Sequence, residues 1–271
     1  MISVITPVYN GERFIEYCIK NVIDQACPEI EHIIMDGGST DRTVDIIEHY
    51  AEKYSHIRWV SERDRGQSDA MNKGIALAKG EIIGVLNADD FYEPNTLNRI
   101  LEIFQYLPEP SLAVGNCNIW SFNNELEHIN KPSDLRITSL LSEKSCFPYN
   151  PSAYFYHKSL HKKIGFYKVD EHYTMDLHFL IKAVQVAKVK YVNETLGNYR
   201  HVKGAKTPTR KENGQHYIQY KNLLRESAKQ LPLNQFLQVY IYRRFRGIKY
   251  YLKNPQKLLP KLKTKLKRAL S

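Results

Sequence analysis

What the sequence lacks narrows its class before any motif is read. No stretch approaches the roughly 18 uninterrupted apolar residues of a membrane span. No apolar leader is in view either, because "MISVITPVYN" reads at once as a strand and a turn, so no signal peptide is expected. Cysteine is scarce, with four residues (Cys18, Cys27, Cys117 and Cys146) and no CxxC spacing. That pattern excludes a zinc ribbon or a disulfide framework and suits reduced thiols in a cytoplasmic protein. Acid is missing from one region: Phe236–Ser271 holds 11 Lys and Arg and no Asp or Glu. The whole chain has 39 basic and 29 acidic residues; without that tail, 28 face 29, a net charge of −1. The basicity therefore belongs to the tail, and a nucleic-acid-binding reading of the main body loses its support.

What is present is a 271-residue chain, 42% hydrophobic and 25% charged, the composition of a globular protein. That length fits one domain of about 200 residues with an appendage. Short β-branched runs at Ile2–Thr6, Glu31–Met35, Ile57–Ser61 and Ile82–Leu86 read as strands. Helical spacing fills the gaps: Glu12–Gln25, Thr43–Tyr54, and a helix that stops at Gly80. This βαβαβαβ order predicts an α/β fold, a Rossmann-like, mostly parallel sheet flanked by helices. After Pro110 the rhythm changes. A strand at Leu112–Trp120 returns through a polar turn as a hairpin, Ala153–His157 is a short strand, and Thr174–Ala187 is a helix before a strand at Lys190–Val192. The charged, turn-rich stretch 203–214 reads as a loop, and the remainder is helical and basic.

Ligands of open parallel sheets bind beyond the carboxyl ends of the strands. Here those ends carry "TPVYN" (Thr6–Asn10), "DGGSTD" (Asp36–Asp41), "RDRG" (Arg63–Gly66) and "NADD" (Asn87–Asp90). Adjacent carboxylates such as Asp89 and Asp90 repel unless a cation intervenes. Mg²⁺ or Mn²⁺ needs only one or two carboxylates when phosphate oxygens complete its shell. The residues alone leave a second reading open, in which these acids cap the helix that starts near Pro94. "DGGSTD" is likewise open: a tight turn whose Ser39, Thr40 or Asp41 caps a helix explains all of it except Asp36. An acceptor-only carboxylate there suits the N–H of a pyrimidine base. Tyr9 is either a stacking surface for that base or a buried tyrosine with a satisfied hydroxyl. Arg63 and Arg65 either face phosphates or form a solvated pair.

"ITPVYNGERFIEYCI", "IIMDGGSTDRTVDII", "SERDRGQSDAMNKGIALAKGEIIGVLNADDFYEP" and "YTMDLHFLIKA" occur in this order. Taken as a set, they closely resemble the family 2 glycosyltransferases, inverting enzymes of the GT-A fold, over about Ile2–Thr207. The resemblance implies base contacts for Thr6, Pro7, Tyr9 and Asp36, and a place for Arg63, Arg65 and Gly66 beside the nucleotide. It implies a ribose or diphosphate role for Asp89, ligation of a divalent Mn²⁺ or Mg²⁺ by Asp90, and Asp176 as the catalytic base. Glu171 and His172 are lesser candidates beside it. "NYRHVKGAKT" resembles the segment that closes over the diphosphate, which brings His201 toward the phosphates or the metal, with Arg200 assisting. Asn87 stands where many relatives carry Asp, and Arg63 where many carry Pro. Independently of the family, Asp176 has a structural account as an acid favoured by the dipole of its own helix.

The resemblance divides the chain into a glycosyltransferase domain, 1–207, and a basic helical extension, 208–271. Within the domain, a nucleotide-binding half runs to about 110 and an acceptor half follows. The implied function is transfer of a sugar from a nucleotide-sugar donor, UDP favoured over GDP or dTDP, to a glycan or lipid-linked acceptor in cell-surface polysaccharide synthesis. A non-catalytic nucleotide-sugar-binding protein of the same fold is the alternative, and the joint presence of Asp36, Asp89, Asp90 and Asp176 argues against it. A nucleic-acid partner leaves those strand-end acids unexplained. In the tail, Leu258, Leu259, Leu262, Leu266 and Leu270 interleave with lysines at helical spacing. The expectation is a helix that brings a cytoplasmic enzyme to the anionic inner face of a membrane; docking on the body is the other reading.

Overall fold

A computed structural model describes residues 1–171, 174–202, 214–254 and 256. Strands and helices alternate through β1 (Ile2–Val8), α1 (Ile15–Ile23), β2 (Ile30–Asp36), α2 (Thr43–Lys53), β3 (Ile57–Ser61), α3 (Gln67–Leu77) and β4 (Ile82–Val85). The chain continues through β5 (Phe91–Tyr92), α4 (Thr96–Phe104), the hairpin β6 (Ser111–Trp120) and β7 (Leu126–Asn130), α5 (Ile137–Leu141), β8 (Tyr154–His157) and α6 (Leu160–Ile164). It then forms α7 (Met175–Val186), β9 (Lys188–Arg200), α8 (Gly214–Lys229) and α9 (Leu233–Lys253).

All of these strands join one sheet in the order β3-β2-β1-β4-β8-β6-β9-β5, with β7 paired to the later part of β6, past β8. The first four strands pair only in parallel among themselves. Beyond β4 the pairing is mixed: β8 runs antiparallel to β4 and β6, and β5 to β9, while β6 and β9 are parallel. β1, β2 and β4 are buried along their whole length, which is why they read as unbroken apolar runs. On one face Ile5, Ile33 and Met35 pack with Met71 and Ile75 of α3 and Phe179 and Leu180 of α7. On the other, Ile2 and Val4 meet Cys18 and Val22 of α1 and Leu97 and Ile100 of α4. Gly74 lets α3 lie close: a Cβ there would stand 2.6 Å from Ile5 Cγ2.

Two elements differ from the sequence reading. Helix α1 begins at Ile15, three residues later than Glu12, because the amides of Gly11 and Glu12 are bonded to Thr43 Oγ1 and Asp41 Oδ2 across the sheet's end. β9 runs 13 residues instead of three, carried by its pairing with β6 through two register shifts. The extension is not detached: Leu224, Ala228, Leu231 and Val239 of its α8–α9 region share a core with Leu141 of α5 and Ile181 of α7. The leucine-rich stretch from Leu258 onward, His172, the segment 203–213 and the expected boundary at 207 lie outside the described residues.

Candidate functional site

The loops after β1 and β2 are knitted together at the carboxyl edge of the sheet. Asn10 N–H donates to Ser39 Oγ (2.7 Å), and Thr40 N–H donates back to Asn10 Oδ1 (2.8 Å). Asp36, 2% exposed, is the centre of its own turn. Its carboxylate accepts from the amides of Gly38 and Ser39 and from the hydroxyls of Ser39 and Ser61. Three of those donors meet Oδ2 and only the Ser39 hydroxyl meets Oδ1, which keeps a lone pair. Asp41 receives the Thr43 amide at 3.0 Å and so does the capping work at α2.

Tyr9 resolves one open reading: it is 63% exposed, not a core tyrosine. Its ring and the Asp64 carboxylate both crowd the face of Gly37 where a Cβ would stand. Thr6 and Pro7, by contrast, are buried within β1. The Thr6 hydroxyl shares a hydrogen bond with His32 Nε2 (2.9 Å) inside the sheet, so that side chain supports the strand rather than lining the cleft. Arg63 and Arg65 stand exposed at the mouth, and Arg65 is held loosely by Asp69 at 3.3 Å. Gly66 adopts φ +110°, which a side chain would resist, and turns the chain into α3. The next residue, Gln67, donates to Asn87 Oδ1 (2.8 Å) and ties α3 to the "NADD" turn.

That turn caps nothing: α4 starts at Thr96, and no side chain caps its Asn95 end. Asp90 is fully buried. Asn87 Nδ2 and Asn150 Nδ2 each donate to its Oδ2 at 2.8 Å, and the Arg200 amide donates to Oδ1 at 3.2 Å. Burial, and then the charge of Asp89, push the Asp90 carboxyl up to about 8 against the pull of these donors. Asp89 is the less buried of the two. Burial raises it as well, while its own amide and the Arg200 charge draw it back.

Arg200, at the end of β9, closes this corner. Its Nε donates to the Asp89 carbonyl (2.6 Å), and its guanidinium lies 4.9 Å from the Tyr17 ring centre and 5.3 Å from that of Phe91. Its Nη2 is buried with no partner among the described residues. His201 turns elsewhere. Its Nε2 lies 3.7 Å from Glu127 on β7, and its ring packs against Phe122 and Tyr199. Among the described residues no three His, Cys, Asp or Glu side chains gather into a metal site, so His201 does not complete one with Asp89 and Asp90.

Asp176 lies in the first turn of α7, as its spacing predicts. Thr174 does not cap that helix; its hydroxyl donates to Glu171 at 3.5 Å, and Glu171 is in turn engaged by His178 at 2.9 Å. Two contacts bring Asp176 to the cleft. The buried Tyr154 hydroxyl donates to its Oδ1 (3.3 Å), and the neighbouring Met175 meets Ser68, two residues beyond Gly66. Asn150, Tyr154, Gln67 and Tyr17 thus serve the site without a signal in the sequence, since each is an ordinary polar or aromatic residue until the fold sets its neighbour. The structure therefore joins Tyr9, Asp36, the Arg63–Gly66 loop, Asp89, Asp90, Arg200 and Asp176 along one edge. Thr6 and Pro7 lie buried in β1 beside the end of β2, and the His201 side chain turns away toward Glu127.

The donor set fits a divalent ion of limited protein ligation: hard carboxylate oxygens, one of them less buried, beside an unpartnered guanidinium nitrogen suited to an anion. With no third ligand gathered, phosphate oxygens would have to complete the shell.

The comparisons with known proteins agree with this architecture. YibD of Escherichia coli (strain K12), an uncharacterized glycosyltransferase, is 35% identical over 144 residues, 52% of this chain and 41% of its own length. The chain thus spans less than half of that relative. S. aureus TarS, residues 1–349 in complex with UDP-GlcNAc, superposes with a TM-score of 0.68 at 19% identity, over 88% of this chain and 69% of that one. The mannosyltransferase PcManGT of Pyrobaculum calidifontis, in complex with GDP-Man and Mn²⁺, superposes with a TM-score of 0.57 at 20% identity, over 100% and 80%. These likenesses establish the GT-A fold. The profile of glycosyl transferase family 2 matches residues 3–165, more than half of the chain, and the protein belongs to that family of glycosyltransferases.

Proposed function

We propose that the chain transfers a sugar, with inversion, from a nucleotide-sugar donor, a UDP-sugar by preference, to a hydroxyl of a glycan or lipid-linked acceptor. The observation that carries this is a chain of contacts at one sheet edge: Met175, next to Asp176, meets Ser68 in the first turn of α3, and Gln67 of the same turn is bonded to Asn87 of "NADD". Tyr9 stacks on the base. Asp36 takes the base N–H on Oδ1, which otherwise accepts only the Ser39 hydroxyl. Arg63, Arg65 and Gly66 flank the phosphates.

The burial of the acids exchanges the roles expected of them. Asp90 is sealed behind two asparagine amides and a backbone N–H, so it shapes the turn, and Asp89 is the carboxylate that meets a divalent ion. Bound there, Mn²⁺ or Mg²⁺ would offset the charge of the departing diphosphate. A Mn²⁺ ion in a neighbour of the same fold supports this reading. The unpartnered Nη2 of Arg200 supplies a donor to the same diphosphate.

The Asp176 carboxylate removes the proton of the acceptor hydroxyl as that oxygen bonds to the anomeric carbon. The bond from that carbon to the phosphate oxygen breaks, and its electron pair leaves with the nucleoside diphosphate. The test is a donor screen that reads nucleoside diphosphate release with an acceptor mixture, with and without Mn²⁺. Acceptor-stimulated release from one donor supports the proposal. Binding of UDP without release from any donor points to the non-catalytic alternative.

A further inference from the structure

Helix α9 presents two apolar faces, and only one is used. Val239 is buried against the body, with Phe236 and Arg243 half-buried on the same side. Arg243 donates to the Leu141 carbonyl, and Arg246 pairs with Glu143. At 3.6 residues per turn, Leu237, Ile241, Phe245, Ile248 and Leu252 fall within an arc of about 80° on the opposite side. All five are exposed, Phe245 by 66% and Leu252 by 77%. A helix packed on a body has one apolar stripe; a second, facing away, needs its own occupant.

Charge selects among the occupants. α9 carries Arg243, Arg244, Arg246, Lys249 and Lys253 and no acid. A second copy of this helix would set cations against cations. The chain's own residues 257–271, with Lys and Arg but no Asp or Glu, would do the same. An anionic lipid surface supplies the missing sign and accepts the apolar arc. Arg244 falls about 20° beyond one edge of that arc and Lys249 about 40° beyond the other, both with stems long enough to carry their charges to the headgroups. Tyr240 and Tyr242, both exposed and about 60° to either side of the arc, add rings with one apolar and one polar end. No helix among the described residues is long and apolar enough to cross a membrane, so the geometry is that of a helix lying in the interface.

We propose that the outer face of α9 is a membrane-docking surface that seats the protein on anionic lipid. The surface belongs to the described helix and does not depend on the more distal leucines.

The test is flotation of the full chain with phosphatidylcholine vesicles, with and without phosphatidylglycerol, at low and high salt. The wild type should float with the anionic vesicles at low salt, remain behind with neutral ones, and be released by salt. Ile248→Gln with Leu252→Gln should lower partitioning by at least about tenfold. These side chains are exposed, so UDP binding and far-UV circular dichroism should not change. Arg244→Gln with Lys249→Gln, which leaves the apolar arc intact, should weaken binding to anionic vesicles alone. Absence of wild-type flotation with anionic vesicles at low salt overturns the proposal. So does wild-type flotation by the Ile248→Gln, Leu252→Gln variant, which would assign binding to the distal tail. A dimer in light scattering that this variant dissolves would name a second copy as the occupant and overturn it equally.

Discussion

Arg200→Gln separates a diphosphate contact from a structural one. In the wild type the guanidinium does two things at once. Nε donates to the Asp89 carbonyl at 2.6 Å, and the plane rests against Tyr17 and Phe91. Nη2, buried and without a partner among the described residues, is the donor left over. Glutamine cannot reach all of these, so the turn loses a charge-assisted hydrogen bond, about 1.5–3 kcal/mol, and a cation–π contact of about 0.5–1 kcal/mol. The fold should therefore lose about 2–4 kcal/mol in urea unfolding without ligand. If Nη2 also donates to the diphosphate, a second bond of the same class disappears, and UDP affinity in the presence of Mn²⁺ should fall by about 10- to 100-fold. Calorimetric titration reads this directly, at a temperature where the variant remains folded. Arg200→Lys keeps the charge but not the planar fork and should fall between the two. Wild-type UDP affinity in folded Arg200→Gln would refute the diphosphate contact and leave Arg200 as a brace for the Asp89 turn.

Three further outcomes follow from the same geometry. Asp89→Asn should abolish the Mn²⁺-dependent part of UDP binding while unfolding near the wild-type urea midpoint; an unchanged Mn²⁺ dependence would return the ion to Asp90. Tyr154→Phe removes the hydroxyl that holds Asp176, so transfer should slow by about fivefold with UDP affinity unaltered, the cost of one hydrogen bond of about 1 kcal/mol; equal rates would show that Asp176 is oriented without it. His32 is buried, and burial lowers its pKa from 6.5 to about 3. It stays neutral in the fold while the unfolded chain takes up a proton, so its stability contribution is complete above pH 6.5 and is lost as pH falls toward 3. Between pH 6.5 and about 5 the wild type should lose about 2 kcal/mol more than His32→Gln, and parallel urea profiles would contradict this.

The parallel half of the sheet was legible because β1, β2 and β4 are buried on both faces and read as apolar runs. The place of Asp176 in a first turn was legible from helical spacing, but its candidacy as a base came from the family resemblance alone. β9 was not: Asn193, Glu194, Gly197 and Asn198 disfavour a strand, and only pairing with β5 and β6 makes them one. The fit is close enough that a Cβ on Gly197 would strike the Ser152 backbone. The difference in burial between Asp89 and Asp90 was hidden for a related reason. Adjacent acids look alike in sequence, and only Asn87, Asn150 and the Arg200 amide decide which one is sealed. Thr6 is buried because β1 is covered on both faces, and side-chain alternation turns its hydroxyl to His32. His201 and Arg200 are neighbours for the same reason on opposite sides of β9's end.

The central claim is that Asp176 is the base of a sugar transfer at this edge. The direct test compares wild type with Asp176→Asn once a donor is known, reading transfer to acceptor and UDP affinity on the same samples. Transfer should fall by at least about 100-fold while UDP affinity stays at the wild-type value, because the base acts on the acceptor hydroxyl alone. Transfer at near the wild-type rate by a folded Asp176→Asn protein would contradict the account.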